Sequence, residues 1–260
     1  MAYLDARPSE GGDESFVGDT YDKLRGVGRR FIAGIAAIGL ALGACTSGSS
    51  DDDRQSPRST GATGTSLASV VIPAPSNAYG RSIVQWQRSW IRWAFTTPGD
   101  ENPLLNPTQC GEIVEGVFFL TAAIESGLEA DCTVPLGMPI LVPAAGTMGV
   151  QGLHAKTPEQ LLAGIQAKMD TLEFARLSID GFNVPLSGVL RFTSTYHAHF
   201  ERGNYFDQVG SPVQGTRLVA SGGIFVRLRP LSAGEHTIMT ADQFSSANIL
   251  DITFHITVSA

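Results

Sequence analysis

The chain is short of several things, and each shortage excludes a class of function. It has three cysteines, at 45, 110 and 132, and no C-x-x-C pair, so a zinc ribbon or thiol-redox motif is excluded. Beyond Cys45 the only lysines are Lys156 and Lys168, and the net charge is −7. No basic block or stripe exists for a nucleic-acid footprint. The apolar run Phe31 to Ala44 falls short of the eighteen or so residues of a membrane-spanning helix. G-x-S-x-G, S-x-x-K, H-E-x-x-H and the phosphate-cradling P-loop are all missing. The glycines of "GTMGVQG" (146–152) precede no helix start. No familiar catalytic machinery can therefore be read from motifs, and no cofactor is implied.

What is present first is an export signal. Lys23, Arg25, Arg29 and Arg30 precede the uncharged, mostly apolar run Phe31 to Ala44, the arrangement of a secretory n-region and h-region. The run ends in Leu42-Gly43-Ala44-Cys45. This stretch resembles the lipobox of bacterial lipoproteins: an aliphatic residue, two small residues, then cysteine. The resemblance implies diacylation of the Cys45 thiol and a mature N-terminus there. The membrane is then a partner through lipid, and the location is the exported face of the cell envelope. Residues 1–22 carry Asp5, Glu10, Asp13, Glu14, Asp19 and Asp22, which suits no n-region. A translation start near Val27 removes them. Arg29-Arg30 also hints at twin-arginine export.

The chain divides into a leader and signal peptide (1–44), a tether (45–67) and a domain (68–260). Residues 46–67 are Ser, Gly, Thr and Asp with little to bury, so ordering them gains nothing. Removing Cys45 leaves Cys110 and Cys132, an even pair in an exported chain. A disulfide is expected, with free thiols or half a metal site as the alternative.

Two helices are expected. "SIVQWQRSWIRWAF" (82–95) opens on a Ser82/Gln85 capping box. Ile83, Trp86, Trp90, Trp93 and Ala94 fall on one face, with Arg81, Gln85, Arg88 and Arg92 opposite. The second helix starts at Thr157-Pro158-Glu159-Gln160, with Leu161, Leu162, Ile165, Met169 and Leu172 as its apolar stripe. Residues 113–123 and 139–144 read as strands. Asp180-Gly181 marks a hairpin. Strands follow at 188–200, 222–231 and 249–258, alternating apolar and polar. The fold class is mainly β (α+β): one antiparallel β-sandwich, immunoglobulin-like in its C-terminal half, with two packed helices.

Candidate chemistry is sparse. His197 and His199, at i and i+2 of a strand, point the same way and are a candidate metal pair, with Glu201, Asp207, His236 or His255 to complete it. The pair resembles the His-x-His of cupins, but the downstream spacing differs, and "PLSAGEH" misses the second cupin motif. Trp86, Trp90 and Trp93 are either core or an aromatic platform for a ligand such as a sugar. Glu112, Glu115, Glu125, Glu129 and Asp131 are close in sequence, as paired carboxylates of a glycosidase would have to be in space.

Across residues 78–260, "SWIRWAF", "ENPLL", "FFL", "CTVPLGMPILVP" and "RPLSAGEHTI" resemble a set of uncharacterised secreted bacterial proteins, which carries no site residues over. "LSAGEHTI" is similar to bacterial immunoglobulin-like domains, which implies a sandwich. The expected function is a lipid-anchored surface domain that binds a ligand or partner, an envelope glycan or a protein, without catalysis. The competing expectation is an envelope- or polymer-acting hydrolase using the carboxylates or His197/His199.

Overall fold

The computed structural model describes residues 70–106, 109–186, 192–245 and 247–260. The leader, Cys45 and the tether lie outside the described residues.

The chain is mainly β, in two sheets. The first contains β1 (Val71–Ile72), β2 (Gly111–Val114), β3 (Val117–Leu120), β5 (Ile140–Val150), β8 (Phe192–Phe200) and β9 (Gly215–Leu228). Its order is β2-β3-β5-β9, and β8 and β1 share the far edge of β9. The second contains β4 (Leu128–Pro135), β6 (Leu172–Ile179), β7 (Phe182–Asn183), β10 (Gly234–Phe244) and β11 (Leu250–Ser259), ordered β4-β11-β10-β6-β7. Between the sheets lie Leu120, Ile140, Val142, Val226 and Leu228 from one and Val134, Leu177, Ile238, Ile252, Phe254 and Ile256 from the other, all buried. That is a sandwich-like layering.

Three helices complete the described fold: α1 (Ile83–Thr96), α2 (Pro158–Asp170) and the short α3 (Tyr205–Gln208). The capping boxes of α1 and α2 form as the sequence predicts, at Ser82/Gln85 and Thr157/Gln160. Helix α1 covers the outer face of the first sheet, with Trp90 against Phe225. Helix α2 covers the other face at one end, where Leu161 and Ile165 meet Ala220. The approach is close: a Cβ on Gly222 would stand 2.6 Å from Met169 Cγ. Glycine is what lets the helix lie down there.

Four expectations need correction. The sheets are not purely antiparallel, since β4 pairs parallel with β11 and β3 parallel with β5. Residues 113–123 are not one strand. They turn at Glu115-Gly116, where φ is +53° and +81°, giving the two-residue hairpin geometry with glutamate in a left-handed position. The 139–144 strand runs on to Val150 through a bulge between Pro143 and Ala145.

Finally, β9 has no wet face. Arg227, expected to alternate outward, is 2 % exposed. Its guanidinium donates to the carbonyls of Pro73 (2.8 Å), Ala74 (3.2 Å) and Arg81 (3.3 Å). Those bonds offset the desolvation of the charge and tie the segment before α1 to the sheet.

The expected disulfide is present. Cys110 precedes β2 and Cys132 lies in β4, so the bond staples the two sheets across a sequence separation of 22. Both residues are buried. Replacing both by alanine should lower stability by about 3 kcal/mol, read as a shifted urea midpoint. An unchanged midpoint would show that the staple contributes nothing.

Candidate functional site

The ladder between β3 and β5 stops early. β3 pairs only with Ile140 and Leu141, and from Val142 onward that edge of β5 has no strand beside it among the described residues. The bulge at Pro143–Ala145 bends β5 at this point. A cavity of about 120 Å³ opens along the bare edge, where both sheets, α1 and α3 meet.

Its walls are largely apolar. Trp90, Ile91 and Phe95 come from α1, Phe225 from β9, and Phe206 from α3. Ala122 to Ile124 close it from the loop before β4. The polar groups in the wall are few: Thr147, His154, Tyr205, Thr240 and Asp242.

Asp242 is the unusual one. β10 turns Ile238, Thr240, Asp242 and Phe244 to one face, and three of these four are buried. The carboxyl therefore occupies an inward position that an apolar residue would normally take. Burial pushes its pKa up to about 7, because the charged form loses its hydration. His154, in the turn after β5, accepts the Val150 N–H at Nδ1 (3.0 Å). Its proton is therefore on Nε2, and burial holds its pKa below the usual imidazole value. A largely apolar cavity that holds a buried acid with a raised pKa is a candidate ligand site.

A second, open depression of about 790 Å³ lies outside α1. Glu101, Glu112, Glu115, Arg92 and Trp93 line it. Glu112 accepts the Trp93 indole N–H at 2.8 Å. Glu115 is held by Arg81 and Ser89, and the Arg81 guanidinium keeps its carboxyl below the usual carboxylate range. A carboxylate locked in its ionised form is a poor general acid.

The candidate residues read from the sequence separate into different places once folded. Trp86, Trp90 and Trp93 are 2 %, 4 % and 8 % exposed. Each indole N–H is taken, by the Ala78 carbonyl, the Leu120 carbonyl and Glu112 respectively. No open ring face remains for stacking a sugar; Trp90 and Trp93 contribute instead to the walls of the cavity and the depression. His197 and His199 share the exposed face of β8 as expected. Arg92 donates to the His197 carbonyl, and His199 Nδ1 contacts Thr216 Oγ1 at 3.1 Å. No group of three metal-ligating side chains occurs among the described residues; His236 and His255 lie on the other sheet.

Of the five carboxylates, Glu112 and Glu115 reach the depression. Glu125, Glu129 and Asp131 are exposed elsewhere, around β4. Arg81 bonds Glu115, while Arg88 and Arg92 lie 5.5 and 5.3 Å from the Tyr196 ring centroid.

No family model matches the chain, and no curated protein matches it. Among solved structures, the solution structure of amebosin is similar at 10 % identity, covering 52 % of this chain and 98 % of that one, with a TM-score of 0.18. A likeness that weak carries no argument about fold or function.

Asp242 also sets a pH dependence. Its folded pKa lies above its unfolded one, so the native state binds the extra proton between about pH 4 and 7. Stability is then highest below about pH 4 as far as this group is concerned, and falls as pH rises to about 7. Asp242→Asn should remove that fall and stabilise the protein at pH 8 by on the order of 2–4 kcal/mol. Chemical denaturation at pH 4.5 and pH 8, roughly the two sides of this window, checks it; equal differences at both pH values would contradict it.

Proposed function

We propose that the chain is an exported lipoprotein, held at the cell-envelope membrane by lipid on Cys45. Its domain binds a small apolar ligand carrying one cationic group, in the cavity beside Asp242. The cavity itself carries the ligand reading. It is apolar, small and buried, and Asp242 is the one carboxylate on its wall. Engineered cavities of similar size bind a benzene-sized ring. A cation is the group that would reward an otherwise costly buried carboxylate.

The immunoglobulin-like reading of the C-terminal half has topological support. β11-β10-β6-β7 follow the order G-F-C-C′, and β5-β9-β8 follow B-E-D, as in that sandwich. β4 then stands beside the last strand as an added first strand. The basic flank, the apolar run, Leu42-Gly43-Ala44-Cys45 and the tether together support the anchor. The open depression beside Glu112 and Glu115 suits a polar partner, an envelope glycan or a protein.

Two experiments test this. Cells fed an alkyne palmitate analogue should label the wild-type chain and leave Cys45→Ser unlabelled and released from membranes. Label on Cys45→Ser would remove the anchor proposal. Titration calorimetry on the full chain at pH 8 should show benzylamine binding, weakened about tenfold or more by Asp242→Asn, with toluene affected little by that change. If neither compound binds, the cavity is packing and nothing else.

A further inference from the structure

Far from the cavity, three side chains from two turns line up. Ser232 lies in the loop between β9 and β10, His236 near the start of β10, and Asp180 in the turn between β6 and β7. Ser232 Oγ is 3.2 Å from His236 Nε2, and His236 Nδ1 is 2.8 Å from Asp180 Oδ2. Asp180 is fixed in turn: Oδ1 accepts the Thr237 N–H at 2.8 Å, and its own N–H donates to the Thr237 carbonyl at 2.8 Å. This is a nucleophile within reach of a base that a third group orients.

We propose that Ser232, His236 and Asp180 form a hydrolytic relay acting on O-acyl esters. Facing a carboxylate, His236 carries its proton on Nδ1, which leaves the Nε2 lone pair for the Ser232 hydroxyl. Ser232 Oγ attacks the ester carbonyl carbon, and its proton passes to Nε2. The bond from that carbon to the alcohol oxygen breaks, and Nε2 returns the proton to the leaving alcohol. Water then attacks the acyl-serine with its proton going to Nε2. The carboxylic acid leaves, and Nε2 reprotonates Ser232.

The Ser232 carbonyl lies 3.1 Å from the same Nε2. It gives the protonated imidazole an acceptor at the moment the hydroxyl stops being a donor. Each protonation state of His236 therefore has its own partner in the same residue. Ser232 is exposed on the loop, so the substrate class is an ester displayed on a large molecule rather than one swallowed by a pocket.

This inference goes beyond the ligand-binding reading and does not rest on it. His236 and Asp242 are six residues apart on β10, about 20 Å of strand. It also departs from the carboxylate and His197/His199 chemistry, since none of those residues takes part.

The test is covalent labelling of the full chain by a fluorophosphonate probe, followed by intact mass and peptide mapping. One adduct is expected, on Ser232. Ser232→Ala should abolish it while leaving the melting temperature and benzylamine titration as in the wild type. His236→Gln should slow labelling about 100-fold or more. Asp180→Asn keeps an acceptor for the Thr237 N–H and should slow labelling as well, which guards against reading a misfolded His236→Gln as a positive. No adduct on Ser232, or an adduct formed as fast in His236→Gln, would overturn the relay and leave only two pinned turns.

Discussion

Everything in this fold depends on β9 being covered on both faces. One face meets α1, through Phe225 and Val219; the other meets the second sheet through Val226 and Leu228, and α2 through Ala220. A strand in that position cannot afford a polar alternation. Its ten residues from Val219 to Leu228 are buried, and the two polar ones, Ser221 and Arg227, face α1. Gly222 and Gly223 sit at the middle of it, where side chains would meet Met169 and the Ala145 carbonyl. The strand is central because it is both apolar and thin.

The cavity follows from that arrangement. β9 is long enough to pair with β5 along ten residues, but β3 on the far side of β5 pairs at only two. A sheet with one long and one short neighbour leaves a bare edge. Here the Pro143–Ala145 bulge bends that edge, and a loop rather than a strand closes it. Proline cannot donate to a ladder, so Pro143 suits an edge position. Packing a loop against flat apolar faces leaves voids more readily than interdigitating two sheets does.

The sequence made some of this legible and hid the rest for physical reasons. Helix starts were readable because a capping box is a local interaction: Ser82 meets Gln85 within one turn. The Asp180-Gly181 turn was readable for the same reason. The disulfide was readable by counting. The Glu115-Gly116 turn was not, since glutamate is a poor signal for a left-handed position and the flanking residues run on as apolar strand. Arg227 misled because alternation predicts exposure only when a strand has a wet face, and whether it has one is a tertiary fact. Asp242 did leave a signal. It sits in register with Ile238, Thr240 and Phe244, and an acid at an inward position of an apolar face is worth marking on sequence alone. Asp180, Ser232 and His236 left none: they are 56 residues apart at the His236–Asp180 contact, and only the pairing of β6 with β10 brings the two turns together.

That pairing gives the second sheet two chemically distinct ends. Ile238 opposite Ile179 and Thr240 opposite Leu177 fix the register. With the register fixed, Thr237 must lie beside the Asp180 turn, and Asp242 must point toward the bare edge of β5. A slip of one residue would turn His236 and Asp242, which share one face of β10, outward together. The polar turn end and the apolar cavity end are therefore set by one constraint, the match of apolar side chains along β6, β10 and β11. Neither end could be relocated without rebuilding the core that lies between them.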